Sequence, residues 1–366
     1  MFLLAGCTTT PGSGEAPPDW STNGVVPAPA LAPNVVPLVV LPPLKTNLPP
    51  VIRTNLPPVV VLTNPPPPVI KPAPILIWTS LDRWLAENRI GSLRRLTGGP
   101  TTRFYTDTKN GLLVLEIGSR EAIWRGMELH LGFPPEIIDG QVFVHGLDLR
   151  KNLMPLIVGA PLCFSTNLVL VLDPGHGGVA GGTISVLDKR PEKEFTLDLA
   201  RRIKPLLEQK GWQVFLARTN DADVALSNRV NFAEAHHADF FVSLHFNSAA
   251  PDKRQSGLET YCLTPVGMPS TLTRGNPDVW SQGFPNNSYD TANLQLAVRL
   301  HAALLHATGA EDRGVRRARF MGVLHGPHCP AVLIEGGYLS NPREAEHIES
   351  AAYRQKMAEA IAGALK

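Results

Sequence analysis

The segment Leu168-Val-Leu-Val-Leu-Asp-Pro-Gly-His-Gly-Gly178 joins a run of aliphatic residues to a glycine-rich turn that contains His176. The aliphatic run predicts a buried strand, and the Pro-Gly pair predicts a tight turn directly after it. In open α/β sheets, ligands bind beyond the carboxyl ends of the strands. The segment therefore predicts a sheet and places a polar side chain where such a sheet forms a site.

The chain after this segment alternates between apolar runs and amphipathic patterns. Apolar runs predict strands at residues 168–172, 214–217, 240–244, 258–263 and 331–334, and helical periodicity predicts helices at about 193–210, 226–237, 291–308 and 351–365. This alternation predicts an α/β domain at residues 166–366, with a mostly parallel sheet that is flanked by helices on both faces.

Two further polar residues, His245 and Glu335, directly follow predicted strands. Because the carboxyl ends of parallel strands meet at one edge of a sheet, we expect His176, His245 and Glu335 to lie close together. A single histidine at a strand end is more often an ordinary hydrogen-bonded group. The prediction of a site depends on the three residues occurring together.

Helical periodicity adds Glu192 to this group. Glu192 lies seven residues before Leu199 and shares its core-facing side, whereas Glu194 aligns with Asp198 on the polar face. For either glutamate, the alternative is a carboxylate that only stabilises the start of the helix. Two histidines and one carboxylate form a known ligand set for a catalytic zinc ion, which also needs an open position for water. Glu335 then remains available as a base.

The order of motifs over residues 168–366 resembles the zinc-dependent N-acetylmuramoyl-L-alanine amidases of the type-3 class. The resemblance is carried by Leu172-Asp-Pro-Gly-His-Gly-Gly178, Glu192-Lys193, Asn228-Arg-Val-Asn231, Ala238-Asp-Phe-Phe-Val-Ser-Leu-His-Phe-Asn247, Gly257-Leu-Glu-Thr-Tyr261 and Pro330-Ala-Val-Leu-Ile-Glu-Gly-Gly-Tyr-Leu-Ser-Asn-Pro342. It implies that one Zn²⁺ is held by His176, Glu192 and His245, and that Glu335 is the catalytic glutamate. It also implies that the substrate is peptidoglycan, cut between N-acetylmuramic acid and L-alanine.

Residues 264–290 depart from the family pattern as an irregular insertion beside the expected cleft. In some relatives an inserted helix covers the zinc ion until a partner protein removes it, so a protein activator is one expectation. The glycine and proline content of this insertion argues against a long helix, and a substrate-binding rim is the alternative. Asn247 and His325 are candidate substrate contacts, and for His325 the alternative is an ordinary position on the loop surface.

The N-terminal part of the chain has a different composition. Leu4-Ala-Gly-Cys7 has the form of a bacterial lipobox, which predicts a lipid anchor at Cys7 and a periplasmic location at the outer membrane. The apolar stretch before Cys7 is shorter than that of a signal peptide, so either residues 1–7 are a partial signal whose start lies upstream or the lipobox match is due to chance. Residues 8–76 are rich in proline and predict an extended, disordered tether.

Residues 77–162 predict a small α+β module of unknown role. Ser80 is the expected N-cap of a helix that runs to Ile90, with Leu81, Trp84 and Leu85 on its buried face. The turn signal Thr108-Lys-Asn-Gly111 predicts a hairpin, and Asp139-Gly140 predicts a second turn.

The net charge of +2 argues against a nucleic-acid partner. The sequence favours a peptidoglycan hydrolase. The two alternatives are a zinc hydrolase of another cell-wall amide and a non-catalytic peptidoglycan-binding lipoprotein.

Overall fold

A computed structural model describes residues 77–160, 162–164 and 167–365. The predicted anchor at Cys7 and the tether at residues 8–76 lie outside the described residues. The described residues belong to one compact unit, Ile70–Lys366. Among them, no helix combines the length and the hydropathy that a membrane span requires.

The first part of the described chain is rich in short strands. Its elements in chain order are β1 (Trp78–Ser80), α1 (Leu81–Glu87), β2 (Arg94–Arg95), β3 (Arg103–Thr108), β4 (Gly111–Glu116), β5 (Glu121–Trp124), β6 (Met127–His130), β7 (Glu136–Ile138), β8 (Gln141–His145), α2 (Gly146–Asp148), a π-helical segment (Leu149–Leu153) and α3 (Met154–Ile157).

The local predictions for this part are confirmed in most respects. Helix α1 begins directly after Ser80, and its residues Leu81, Trp84 and Leu85 are buried. The helix ends at Glu87 rather than at Ile90, and the side chain of Ser80 makes no capping hydrogen bond. Strands β3 and β4 form the expected hairpin, in which Thr108 pairs with Gly111. Asp139 and Gly140 join β7 to β8 with φ values of 48° and 76°, as a type I′ turn requires.

The second part alternates longer strands and helices. Its elements are β9 (Val169–Pro174), α4 (Glu192–Glu208), β10 (Gln213–Leu216), α5 (Leu226–Ala235), β11 (Phe240–Asn247), β12 (Leu258–Cys262), a 3₁₀ helix (Pro285–Tyr289), α6 (Asp290–Thr308), β13 (Asp312–Arg317), a 3₁₀ turn (Gly322–Leu324), β14 (Ala331–Tyr338), α7 (Pro342–Glu349) and α8 (Ala351–Ala364). The predicted strands and helices are all present, and β13 and α7 were not predicted.

The prediction of a mostly parallel sheet is wrong, because the sheet is mixed. Strands β10, β9, β11 and β14 are parallel neighbours, but β12 runs antiparallel to β14. The chain passes from β11 to β12 through residues 248–257, where no helix forms. A parallel return needs a crossover of a dozen or more residues, usually a helix, so this short connection reverses the strand instead.

One sheet of eleven strands runs through both parts, in the order β10-β9-β11-β14-β12-β13-β6-β5-β4-β3-β2. The two parts join where Val315 of β13 pairs with Leu129 of β6. Strands β1, β8 and β7 form a separate small sheet. The sheet that carries the polar groups of β14 and β12 therefore continues through β13 into β6.

Apolar side chains cover both faces of the parallel strands. Leu170, Leu172 and Val242 cluster with residues of α4, α6 and α8. Val171 and Phe241 point to the opposite face and cluster with Ala233 of α5. Each such fully buried side chain contributes roughly 1.5–3 kcal/mol, so this packing holds the strand ends rigidly in place.

Candidate active site

The loop that carries His176 is held by two buried arginines. Arg229 of α5 donates to the Asp173 carboxylate at 2.5 Å, to the carbonyl oxygen of Pro174 at 2.8 Å and to that of His176 at 2.7 Å. Arg218 donates to the carbonyl oxygens of Pro174 and Gly175, both at 2.9 Å. These bonds fix the backbone on both sides of His176, whose φ of 62° is unusual for a residue with a side chain.

Gly175 is required because the backbone passes directly against the ring of His245. A Cβ atom at this position would lie 2.3 Å from Cε1 of His245. Gly182 is constrained in the same way, since its Cβ would lie 2.5 Å from Oε2 of Glu192 and its φ is +74°. The glycines of this loop therefore allow the polar groups to approach one another.

Glu192 lies between the two histidines. Its Oε2 atom is 3.1 Å from Nε2 of His176, and its Oε1 atom is 2.9 Å from Nδ1 of His245. Each carboxylate oxygen also accepts a backbone N–H, from Thr183 at 3.0 Å and from Phe246 at 2.9 Å. Glu194, two residues further along α4, is exposed.

The electrostatics favour an ionised Glu192. Burial alone would raise the pKa of this carboxyl, but hydrogen bonds from His176 and His245 lower the pKa to about 2. Burial by itself would lower the pKa of His245, and the bond and charge of Glu192 outweigh this and raise the pKa to about 8.

These three residues could hold a metal ion. One ligand atom from each of His176, Glu192 and His245 lies within 4.8 Å of the other two. Two imidazole nitrogens and one carboxylate oxygen match the donor set of a catalytic zinc site, with a fourth position left for water or substrate. The backbone N–H groups that orient Glu192 supply the outer support that metal ligands require.

Glu335 lies beside this group on the neighbouring strand. It pairs in register with His245 on one side and with Glu259 on the other. The side chain is buried, and among the described residues its Oε2 atom has no hydrogen-bond partner. Burial raises the pKa of Glu335 to about 8, helped by the charges of Glu192 and Glu259 and opposed by those of His245 and Arg274. An unpaired carboxyl oxygen with such a pKa can accept and return a proton near neutral pH.

The two residues that were expected to contact substrate lie in different surroundings. Asn247 ends β11 on the side of Glu335, and its amide donates to Glu259 at 2.9 Å and accepts from Arg274 at 3.0 Å. His325 stacks on Phe284 with ring centroids 3.8 Å apart, and its Nε2 atom is 2.6 Å from the carbonyl oxygen of Arg319. The contacts of His325 are therefore with Phe284 of the irregular segment and with the backbone at Arg319, rather than with the histidine group.

Sequence reasoning missed a polar pocket next to Glu335. Its centre is Glu259, which is 1% exposed and accepts from Tyr261 at 2.7 Å and from Arg313 at 2.9 Å. The cavity has a volume of about 380 Å³ and is also lined by Arg274. The sequence signal that could have revealed this pocket was the carboxylate of Glu259 within a predicted buried strand. A buried charge needs partners from elsewhere in the fold.

A sheet that carries a His–Glu–His group and a buried glutamate at its strand ends is an arrangement of metal-dependent hydrolases. Residues 170–366 match the family model described as N-acetylmuramoyl-L-alanine amidase. The chain belongs to this family, the type-3 amidases.

Individual relatives cover part of the chain. The N-acetylmuramoyl-L-alanine amidase AmiC of Neisseria meningitidis is 34% identical over 220 residues, which cover 54% of this chain and 52% of that protein. LytC of Bacillus subtilis is 33% identical over 52% of this chain and 34% of that protein. Among solved structures, AmiC2 of Nostoc punctiforme is 31% identical, covers 55% of this chain and 97% of that one, and has a TM-score of 0.45. The chain spans about half the length of the AmiC relative.

Proposed function

We propose that this chain is a zinc-dependent peptidoglycan hydrolase, which cuts the amide bond between N-acetylmuramic acid and the L-alanine of the stem peptide. The observation that carries the proposal is the position of Glu335, which pairs in register with His245 of the His176, Glu192 and His245 group and whose Oε2 atom is buried without a hydrogen-bond partner among the described residues. Membership of the amidase family supports the choice of substrate.

His176, Glu192 and His245 would hold the zinc ion. When bound, zinc polarises a carbonyl group and lowers the pKa of water to about 7. Glu192 keeps its charge at any relevant pH because its hydrogen bonds lower its pKa to about 2. The two arginines behind the loop keep His176 oriented towards Glu192.

Glu335 would act as the base and then as the acid. Its Oε2 atom takes a proton from the attacking water, whose oxygen forms a bond to the lactyl carbonyl carbon. The same carboxyl then gives this proton to the alanine nitrogen as the carbon–nitrogen bond breaks. The second proton of the water passes from the new carboxyl group to the amine. The products are therefore a lactyl carboxylate and a peptide with a free ammonium group, and atoms and charges balance.

The decisive experiment compares wild type with Glu335→Gln on purified sacculi and identifies the released products by mass spectrometry. We expect wild type to release stem peptides that begin with L-alanine. Glu335→Gln should retain zinc and lose about 10²–10⁴-fold in rate, the usual contribution of a general acid–base group.

The same experiment separates the two alternatives. A hydrolase of another cell-wall amide would leave L-alanine attached to muramic acid, and a binding protein would release no product. Substantial turnover by Glu335→Gln would contradict the role that we assign to this glutamate.

We also propose that the enzyme acts in the cell envelope, held at the outer membrane by a lipid on Cys7 and spaced from it by the tether at residues 8–76. The support is the lipobox sequence and the proline content. Labelling of growing cells with a fatty-acid analogue should modify wild type and leave Cys7→Ser unmodified. Equal labelling of both would contradict the anchor.

A further inference from the structure

The segment at residues 264–290 presents one arginine at a tight turn. The backbone N–H of Asn276 donates to the carbonyl oxygen of Thr273 at 2.9 Å. The two residues between them, Arg274 and Gly275, have φ values of 49° and 79°. Positive φ at both central positions is the pattern of a type I′ turn, which favours asparagine and glycine. An arginine at the first of these positions is strained, and such strain is concentrated at functional sites.

The base of this turn is tied to the sheet. The carboxylate of Asp278 accepts from the backbone N–H and the hydroxyl of Ser270, each at 2.7 Å, and contacts the guanidinium of Arg319. Thr271 donates from its backbone N–H and its hydroxyl to the carbonyl oxygen of Arg317 at the end of β13, at 2.8 and 3.0 Å. The turn is therefore a fixed structure that holds Arg274 in one place.

Arg274 differs from the other arginines of the polar pocket in its partners. Arg313 donates to Glu259 at 2.9 Å, and Arg316 lies 3.4 Å from the same carboxylate. Among the described residues, no carboxylate lies within 4.0 Å of a nitrogen of Arg274. Its guanidinium donates to the side-chain oxygen of Asn247 at 3.0 Å, and the residue is exposed.

The residues that line the pocket carry more positive than negative charge, and the carboxylates of Glu259 and Glu335 also act on Arg274. Three guanidinium groups line it together with the carboxylates of Glu259 and Asp252, and Asp252 is already paired with Arg254 at 3.0 Å. The cavity of about 380 Å³ has room for a small acidic group. A guanidinium binds a carboxylate through two parallel hydrogen bonds, which makes this the group that Arg274 would select.

The pocket also lies at a suitable distance from the reacting bond. Glu259 pairs in register with Glu335, and neighbouring strands are about 4.8 Å apart. A peptide residue spans about 3.3–3.6 Å, so a group one or two residues beyond the cleaved amide can reach the pocket.

We propose that Arg274 is a specificity-determining residue, which binds a free carboxylate of the stem peptide within two residues of the cleaved amide. This inference rests on the proposed function and assigns a role to the irregular segment. Asn247 positions the guanidinium through its side-chain oxygen.

The test uses two synthetic muropeptides that differ only in the second stem residue, whose carboxyl group is either free or a carboxamide. Wild type, Arg274→Ala and Arg274→Lys are compared, with Arg83→Ala as the matched control. Arg83 is an exposed arginine with one carboxylate partner, on helix α1.

We expect wild type and Arg83→Ala to prefer the free carboxylate by about 10-fold in kcat/KM, mainly through KM, as one charge-assisted pair allows. Arg274→Ala should process both substrates equally, and Arg274→Lys should keep part of the preference. Equal losses on both substrates in Arg274→Ala, or no preference in wild type, would overturn the inference.

A binding measurement separates this inference from the proposed function. The two stem peptides alone are titrated into Glu335→Gln and into the double variant with Arg274→Ala, and heats of binding are recorded. If wild type cleaves neither muropeptide, the proposed function fails. If Glu335→Gln binds the peptide with the free carboxylate more tightly and the double variant does not, the role of Arg274 is still supported. Equal binding of both peptides by Glu335→Gln overturns that role.

Discussion

Two groups of histidine and carboxylate lie on the same sheet, and they differ in how the fold supports them. His176, Glu192 and His245 come from a loop, a helix start and a strand end, and they meet at the edge of the sheet. The second group consists of Glu121, Glu128 and His130, which lie on the adjacent strands β5 and β6. Both groups bring their ligand atoms within 4.8 Å of one another.

The carboxylates of the two groups have different surroundings. Glu192 is buried, and each of its oxygens accepts a backbone N–H. Glu121 is exposed, and the guanidinium of Arg316 lies 4.0 Å from Glu128, where its charge competes with a cation. The comparison teaches that the right residue types at a short distance do not suffice to form a metal site. The ligands must also be buried, held in orientation by hydrogen bonds and free of a competing positive charge.

The largest expected effect is the loss of Glu192. In Glu192→Gln, the new amide would place N–H donors against the backbone N–H of either Thr183 or Phe246, and one anionic ligand would be lost. We expect zinc affinity to fall more than about 100-fold, beyond the range that supporting residues produce. Metal content by mass spectrometry measures this. Glu194→Gln is the matched control and should retain zinc, and a zinc-free control variant would contradict the assignment.

The pH dependence of activity should follow Glu335. This carboxyl must lose its proton to act as a base, so kcat/KM should fall tenfold for each pH unit below its pKa. Burial raises that pKa to about 8 without a metal, and a nearby cation lowers it, so the acidic limb of the zinc enzyme should lie below pH 8. A pH–rate profile from pH 4 to 9 checks the sign. His130→Ala should give the same profile, and a rate that rises as pH falls would exclude Glu335 as the base.

A smaller effect is expected when the support behind His176 is weakened. Arg229→Lys keeps the charge beside Asp173 but cannot make all three bonds to the loop, since an ammonium group lacks the planar fork of arginine. We expect zinc affinity to fall about 10-fold. Competition with a chelator measures it, and Arg201→Lys on the exposed side of α4 is the control. Unchanged affinity would show that the loop holds its shape without Arg229.

The smallest effect is expected at the second group. The double variant Glu128→Gln and His130→Ala should leave zinc content at one ion per chain, because the positive charge of Arg316 near Glu128 opposes cation binding at this group. A lower zinc content in this variant would show that the second group also binds zinc, and would contradict the difference that we infer between the two groups.

The strands and helices of the second half could be predicted because their side chains alternate between long apolar runs and amphipathic patterns. Strand β13 could not, since Asp312–Arg317 contains a single aliphatic residue, Val315. Its polar side chains find their partners only in the folded protein, where Arg313 pairs with Glu259 and Asp312 with His301. The direction of β12 was missed for a related reason, because an apolar run contains no information about the direction of its neighbour.

The candidate site also has a part that the sequence predicts and a part that it does not. Strand ends and helical phase sufficed to select His176, Glu192, His245 and Glu335, and the structure brings them together, while their roles in metal binding and catalysis stay predictions. No local pattern pointed to Arg274, because its position depends on a turn that is tied to the sheet through Asp278 and Thr271.

The sequence by itself determined which apolar runs and helix faces are buried, where the strands end and which polar groups stand at those ends, since these depend on patterns of neighbouring residues. The tertiary structure alone decided that one sheet continues from β13 into β6, that Glu259 is surrounded by arginines, and that the irregular segment directs a guanidinium to the pocket beside Glu335. The physical reason is that charges and strand edges find their partners across long stretches of chain, and only the folded packing selects which partners meet.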